Sequence, residues 1–157
     1  LGGSFAFNAR EKPEDLLGAS ELVQYLVDTV AKNGNLLINV GPDRYGQIPG
    51  MQQAPLLGLG QWLALNGEAI YGTKPWRRAG NDSGRELRYT SRENVLYAMV
   101  FNVSSNSITI EKPGIPYKKL SVLGATINTQ EQRDGQLHIT LTEPVTSPAL
   151  VLRYQLQ

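Results

Sequence analysis

Cysteine is absent, which excludes disulfides and thiolate metal sites but leaves the compartment open. Histidine occurs once, at His138, and this argues against a histidine-built metal site or a Ser-His-Asp triad. The formal net charge is only +1, so no basic face for nucleic acid or an acidic membrane is implied. No run is long and apolar enough to cross a bilayer. A signal peptide is missing too. Leu1-Gly-Gly-Ser-Phe-Ala-Phe-Asn8 lacks an initiator methionine and reads like the middle of a protein, so that absence is uninformative about targeting. Hydrophobic residues make up 41% of the 157 and charged residues 18%, which fits a globular chain of one ordinary domain or two small ones.

What is present centres on Asn35-Leu-Leu-Ile-Asn-Val-Gly-Pro-Asp43. Leu36, Leu37, Ile38 and Val40 form a nearly unbroken apolar run, the pattern of a parallel strand buried on both faces. Gly41-Pro42 ends it, because proline cannot donate to a ladder. Chemistry in α/β folds collects at the carboxyl ends of such strands. Asn39 and the loop from Gly41 to Pro49 are therefore the first place to look for function.

Upstream, Ser4 to Asn8 is short and aromatic, the end of a strand. Ser20 is a suitable N-cap, with Glu21 in the first turn. Leu22, Val23, Leu26, Val27 and Val30 then share one helical face, and Asn33-Gly34 closes the helix with glycine as its left-handed residue. A second helix spans 51–66 through Leu56, Leu59, Trp62, Leu63 and Leu65, with Pro55 near its first turn and Asn66-Gly67 at its end. The order is β-α-β-α with a parallel sheet. From about residue 74 the pattern changes to turn-rich sequence, including Lys74 to Arg78 and Asn81 to Gly84. Short alternating segments follow at 86–90, 95–103, 107–111, 119–123, 126–132, 136–142 and 150–156. Asp134-Gly135 is a hairpin signal. The expectation is α/β plus all-β: residues 1–73 as the α/β part and 74–157 as a small antiparallel β-sandwich. A strand as apolar as 35–40 needs neighbours and helices that the first 73 residues do not supply, and a (β/α) barrel takes about 250 residues. The chain therefore reads as a piece of something larger.

Leu26 to Asp43, Gly46-Gln-Ile-Pro49, Gly60-Gln-Trp-Leu63 and Asn66-Gly-Glu-Ala-Ile-Tyr-Gly-Thr-Lys-Pro-Trp76 closely resemble the C-terminal third of α-L-fucosidases, the retaining glycoside hydrolases of family 29. Ser4-Phe-Ala-Phe-Asn8 is similar to that family's S-W-G-Y/F-N segment, with Phe for Trp and Ala for Gly. The resemblance implies the last βα units of a (β/α) barrel-like catalytic domain, then a C-terminal sandwich. On that mapping 35–40 is the last barrel strand and 51–66 the last helix. It further implies release of terminal α-L-fucose from glycans or glycoconjugates by double displacement, with an aspartate nucleophile and a glutamate acid/base, both upstream of Leu1. No metal or cofactor is implied. The implied partners are a fucosylated glycan and the remainder of the barrel, with no nucleic acid or membrane and with oligomerisation left open. Resemblance alone suggests a secreted, periplasmic or lysosomal setting.

No catalytic residue is assigned within the chain. Glu14, Glu21, Asp28 and Glu68 read as solvated or structural. Asp43, after the strand, and Glu11, after the aromatic segment, lack the paired carboxylate or raised pKa that acid/base work requires. The family resemblance places Phe5 or Phe7 at the hydrophobic wall of the sugar pocket, where an aromatic face suits the methyl group of a 6-deoxy sugar. Barrel-core packing is the plainer alternative. Asn39 holds a loop or the sugar. Trp62 reads as core, Tyr71 and Trp76 as domain-junction packing, and His138 as a surface residue. Three rivals remain. Residues 84–157 are a carbohydrate-recognition sandwich using Tyr89, Tyr97, Phe101, Tyr117 and Tyr154; or Gly41-x-x-x-x-Gly46 is a phosphate loop, discounted because Gln47-Ile48 replaces Lys-Ser/Thr; or the chain is an inactive structural portion of the enzyme.

Overall fold

The computed structural model describes residues 1–81 and 86–157. The helices form where apolar residues recur at helical spacing. Helix α1 (Ala19–Ala31) buries Leu22, Val23, Val27 and Ala31. Its cap lies at Gly18, two residues before the expected Ser20, because the Glu21 carboxylate accepts the Gly18 N–H at 2.8 Å. At the other end the left-handed residue is Asn33 (φ 64°) rather than Gly34, whose N–H returns to the Thr29 carbonyl at 2.8 Å. Helix α2 (Gly50–Asn66) buries Gln52, Pro55, Leu59, Trp62 and Asn66, a stripe at alternating steps of three and four. Pro55 lies inside this helix rather than in its first turn. Gly67 stays right-handed (φ −60°), so the helix tightens into a 3-10 turn over Gly67–Ala69 instead of stopping at a left-handed glycine.

Residues 35–40 depart from expectation. The segment joins no ladder on either side, and Ser4–Asn8 contains a bend rather than a strand. Leu36, Ile38 and Val40 are half-buried, with Ile38 packed among the helices, whereas Leu37 on the opposite face is 93% exposed. Alternation of this kind belongs to an extended chain covered on one side only. The described residues contain no neighbouring strand to complete its backbone pairing.

The remainder is one six-stranded antiparallel sheet. Its strands are β1 (Lys74–Gly80), β2 (Leu87–Arg92), β3 (Val95–Glu111), β4 (Tyr117–Val122), β5 (Ile127–Arg133) and β6 (Gln136–Leu156). They are ordered β1-β2-β3-β6-β4, and β5 also pairs with β6. Sequence reading missed β1, whose Pro75 is tolerated because the strand is at an edge and irregularly paired. The turn expected at Asn81–Gly84 lies, beyond Asn81, outside the described residues. Asp134 (φ 52°) and Gly135 (φ 77°) make the expected tight hairpin between β5 and β6. Two pairs of expected segments fuse into the long strands β3 and β6. These bend where their register slips, between Ser105 opposite Val145 and Ser107 opposite Thr140.

The bend turns a single sheet into a sandwich-like layer. Arg78 on β1 lies near the level of Met99 through β2, yet it pairs with Glu111 at 3.6 Å. A straight β3 would separate residues 99 and 111 by about 40 Å. The sheet therefore curls, and its concave face encloses a core that joins Leu96, Ala98 and Val100 to Ile108, Ile139, Leu152 and Tyr154. The alternate residues Tyr97, Met99, Phe101, Ala149 and Val151 point to the convex face. There they pack with Leu22, Val23, Val27, Leu59 and Trp62 of the helices. Trp62 is core, as expected, and its indole N–H donates to the Ala149 carbonyl at 2.8 Å. This second core spans residues on both sides of position 73.

One ionic clamp fixes α1 to the sheet. Arg88 donates to Asp28 at 2.6 Å and to Glu86 at 2.8 Å, with its side chain only 15% exposed. Lys32 adds a second bond to Asp28 at 2.7 Å. Burial opposes the charge on Asp28, but the hydrogen bonds from Lys32 and Arg88 and their positive charges outweigh it and hold the carboxyl below its usual range. By contrast, the exposed Lys12–Glu14 pair at 3.9 Å contributes little, since such pairs are worth about 0.2–1 kcal/mol at most.

Candidate functional site

The two segments flagged by sequence, 4–11 and 35–49, are brought together on one side of the helices. Asn39 does this directly: its Nδ2 donates to the Phe5 carbonyl at 2.6 Å, and its own carbonyl accepts from the Leu1 nitrogen at 2.8 Å. Of the roles weighed for Asn39, holding the aromatic segment is the one its contacts display. Gly41 is required by close approach. A Cβ there would lie 2.6 Å from the Phe7 nitrogen and 2.9 Å from its Cα, both backbone atoms that cannot step aside alone. Phe5 stands out at 88% exposure, and Phe7 is about half exposed. Leu37 and Tyr45 are exposed as well. Among the described residues neither phenylalanine belongs to a core cluster.

Gln52 is the residue that sequence reasoning overlooked. Although polar, it is 3% exposed. Its Oε1 accepts the Gly41 N–H at 2.9 Å, and its Nε2 donates to Glu11 Oε2 at 2.8 Å. One side chain of α2 thus ties the end of the 35–40 run to the N-terminal segment. The signal was the stripe itself: stepping back from Trp62 through Leu59 and Pro55 lands on Gln52.

The carboxylates are occupied by structure. Glu11 is held by Gln52, and Asp43 Oδ1 accepts the backbone N–H groups of Tyr45 at 2.8 Å and Gln47 at 2.9 Å, a turn-forming role. Glu68 pairs with Arg153 at 3.3 Å, and Glu21 and Asp28 serve the helix cap and the clamp. The loop 41–47 offers no phosphate cradle either. The amides of Gly41, Asp43, Tyr45, Gly46 and Gln47 all bond within the chain.

The carbohydrate-recognition reading of the sheet loses its platform. Tyr89, Tyr97, Phe101 and Tyr154 are buried, and Tyr117 is half-buried with its ring edge-on to Tyr154 at 5.0 Å. Burial drives the Tyr154 hydroxyl strongly upward in pKa, and that of Tyr89 upward too, as in a dry core. His138 bonds Thr109 across β3 and β6 at 3.0 Å. Trp76 packs against the concave core, and Tyr71 is exposed.

Among solved structures, the arrangement matches glycoside hydrolases. It superposes on Thermotoga maritima α-fucosidase in complex with fucose at TM-score 0.80 and 36% identity, covering 98% of this chain and 38% of that one. It superposes on α-L-fucosidase isoenzyme 1 from Paenibacillus thiaminolyticus at TM-score 0.82 and 27% identity, covering 100% and 38% respectively. Residues 1–68 match the α-L-fucosidase family profile. Human tissue α-L-fucosidase is 33% identical over 139 residues, 87% of this chain and 30% of the human protein. This chain belongs to the α-L-fucosidase family and corresponds to the C-terminal part of its members. It spans about a third of their length.

Proposed function

We propose that the chain is the C-terminal portion of a retaining α-L-fucosidase. Residues 1–73 complete the catalytic barrel, with 35–40 as its last strand, and residues 74–157 form the sandwich behind it. The observation that carries this reading is the open apolar face on which Asn39 presents Phe5. Leaving a leucine- or phenylalanine-sized side chain in water forgoes about 1.5–3 kcal/mol each. Phe5, Leu37 and Tyr45, large apolar side chains left exposed in these segments, suit contact with further polypeptide and with substrate. The backbone of 35–40, which joins no ladder among the described residues, suits a neighbouring barrel strand in the same way.

In this reading the nucleophilic aspartate and the acid/base glutamate come from upstream, since Glu11, Glu21, Asp28, Asp43 and Glu68 are engaged in bridges, a cap, a turn and ion pairs. They would stand roughly 5–5.5 Å apart across the scissile bond of a terminal α-L-fucose. Phe5, with Phe7 beside it, forms the apolar wall against the sugar's methyl group, and Asn39 fixes that wall. The partners are a fucosylated glycan and the rest of the barrel.

The test is kinetic and uses the intact enzyme. Phe5→Ala lowers kcat/KM for an aryl α-L-fucoside by about tenfold or more, the value of one well-placed apolar contact. The same variant narrows the preference for that substrate over the aryl glycoside lacking the C6 methyl. Wild-type kinetics and undiminished methyl discrimination would remove Phe5 from the pocket.

A further inference from the structure

Among the described residues three strands of the sheet keep an edge that no other strand covers: β1, β4 and β5. Such an edge presents a row of unpaired N–H and C=O groups and is a template for another strand. The charged residues on β1 are Lys74, Arg77 and Arg78, and those on β4 are Lys118 and Lys119. Edges charged with one sign repel a second copy of themselves. β5 differs, because it carries Glu131 and Arg133, two residues apart and so on the same face. Every residue of β5 after Ile127 is exposed. Arg133 meets the adjacent Asp134 at 3.5 Å in a solvated pair, and Glu131 makes no ion pair among the described residues. The hairpin decides which backbone groups face outward. A two-residue turn is closed by bonding between its flanking residues, here Arg133 and Gln136. Bonded and non-bonded pairs alternate along an antiparallel ladder. Glu131 therefore bonds to His138, while Gln130 and Gln132 turn their N–H and C=O groups away from β6.

We propose that β5 pairs with β5 of a second copy of this chain, antiparallel about a two-fold axis through Gln132. The outward-facing backbone of Gln132 then bonds its symmetry mate, each N–H donating to the other C=O. The same register sets Glu131 opposite Arg133 of the partner subunit, twice over by symmetry. Centring the axis on Glu131 or on Arg133 instead would set like charges face to face, so charge selects the register. The two signs also discourage foreign strands while suiting this edge to its own copy. The surface lies clear of the helices. β5 pairs with residues 136–140, beyond the register slip, whereas α1 and α2 pack against Tyr97, Met99, Phe101, Ala149 and Val151. Pairing along one short edge buries little area, so association is expected in the micromolar range or weaker.

The proposal does not rest on the fucosidase reading. Its test is the oligomeric state of the intact protein, followed by sedimentation velocity from about 1 to about 500 μM, the span over which so small a contact should form. Wild type is expected to populate a species of twice the mass of the smallest one seen. Glu131→Arg moves its half-dissociation to about tenfold higher concentration or more, because two attractive cross-strand pairs become two repulsive ones. Combining Glu131→Arg with Arg133→Glu exchanges the charges end for end and restores the wild-type value. Both positions are exposed, so Tm is unchanged in either variant. Amide exchange gives an independent reading: the Gln132 N–H is slower to exchange in wild type than in Glu131→Arg at the same high concentration. The proposal is overturned if wild type and Glu131→Arg have the same mass at every concentration. It is equally overturned if the double variant associates no better than the single one, or if the Gln132 amide exchanges alike in both.

Discussion

Gln52→Leu tests whether α2 holds the N-terminal segment and the end of the 35–40 run together. The substitution keeps side-chain size and helix propensity but removes both ends of the bridge. The Gly41 N–H, buried and bonded only to Gln52 Oε1, would be left without an acceptor. That costs about 1–3 kcal/mol, and loss of the donor to Glu11 adds about 1 kcal/mol. At about 2–4 °C per kcal/mol for a domain of this size, Tm falls by roughly 4–16 °C. Hydrolysis should fall further than stability alone explains, because Phe5 hangs from the same two segments. Gln52→Glu is the sharper control. It retains the acceptor for Gly41 but sets a second carboxylate against Glu11, raising the pair's affinity for a proton in the folded state. Its deficit relative to wild type is therefore smallest below the unfolded carboxylate pKa and grows as pH rises through the raised folded value. Differential scanning fluorimetry from pH 4 to 8, with fucoside hydrolysis alongside, reads all of this. An unchanged melt for Gln52→Leu, or a pH-independent deficit for Gln52→Glu, would refute the bridge.

The clamp on α1 predicts acid sensitivity of a defined sign. Because the Asp28 carboxyl is held below its ordinary 3.8, its stabilisation is complete above that value and is lost as pH falls through the depressed one. Asp28→Asn should remove this component of acid unfolding, and an unaltered acid limb in chemical denaturation would contradict it. Gly41→Ala forces a methyl group onto the Phe7 backbone. It should cost about 1–3 kcal/mol and reduce hydrolysis, and a neutral result by melting and kinetics would show that the close approach is not needed.

The sequence disclosed the helices well, because Leu22, Val23, Val27, Leu59 and Trp62 follow helical spacing and face one core. It misjudged their ends because side chains outside the usual motifs do the work: Glu21 reaches back to Gly18, and Asn33 takes the left-handed turn in place of Gly34. The run 35–40 carries the signature of two-sided burial, but burial is a property of neighbours, and this chain covers one face only. The strands of the sheet were legible from alternation, while their fusion into β3 and β6 was not. Residues 104–106, which separate two of the expected segments, sit in a strand whose register slip absorbs the bend. At the site, Asn39 was singled out from its place at the end of the 35–40 run and Phe5 and Phe7 through resemblance, and Asn39 bonds the Phe5 carbonyl. Gln52 escaped because a polar residue on an apolar stripe invites the assumption of a solvated face.

The central claim is that this chain shapes a fucose pocket whose reacting carboxylates lie outside it. Trapping the intact enzyme with a 2-fluorinated α-L-fucosyl donor, which halts a retaining enzyme at its covalent intermediate, and sequencing the labelled peptide tests this directly. The label should fall on one aspartate outside residues 1–157. A label on Glu11, Asp43 or any other residue of this chain would contradict it.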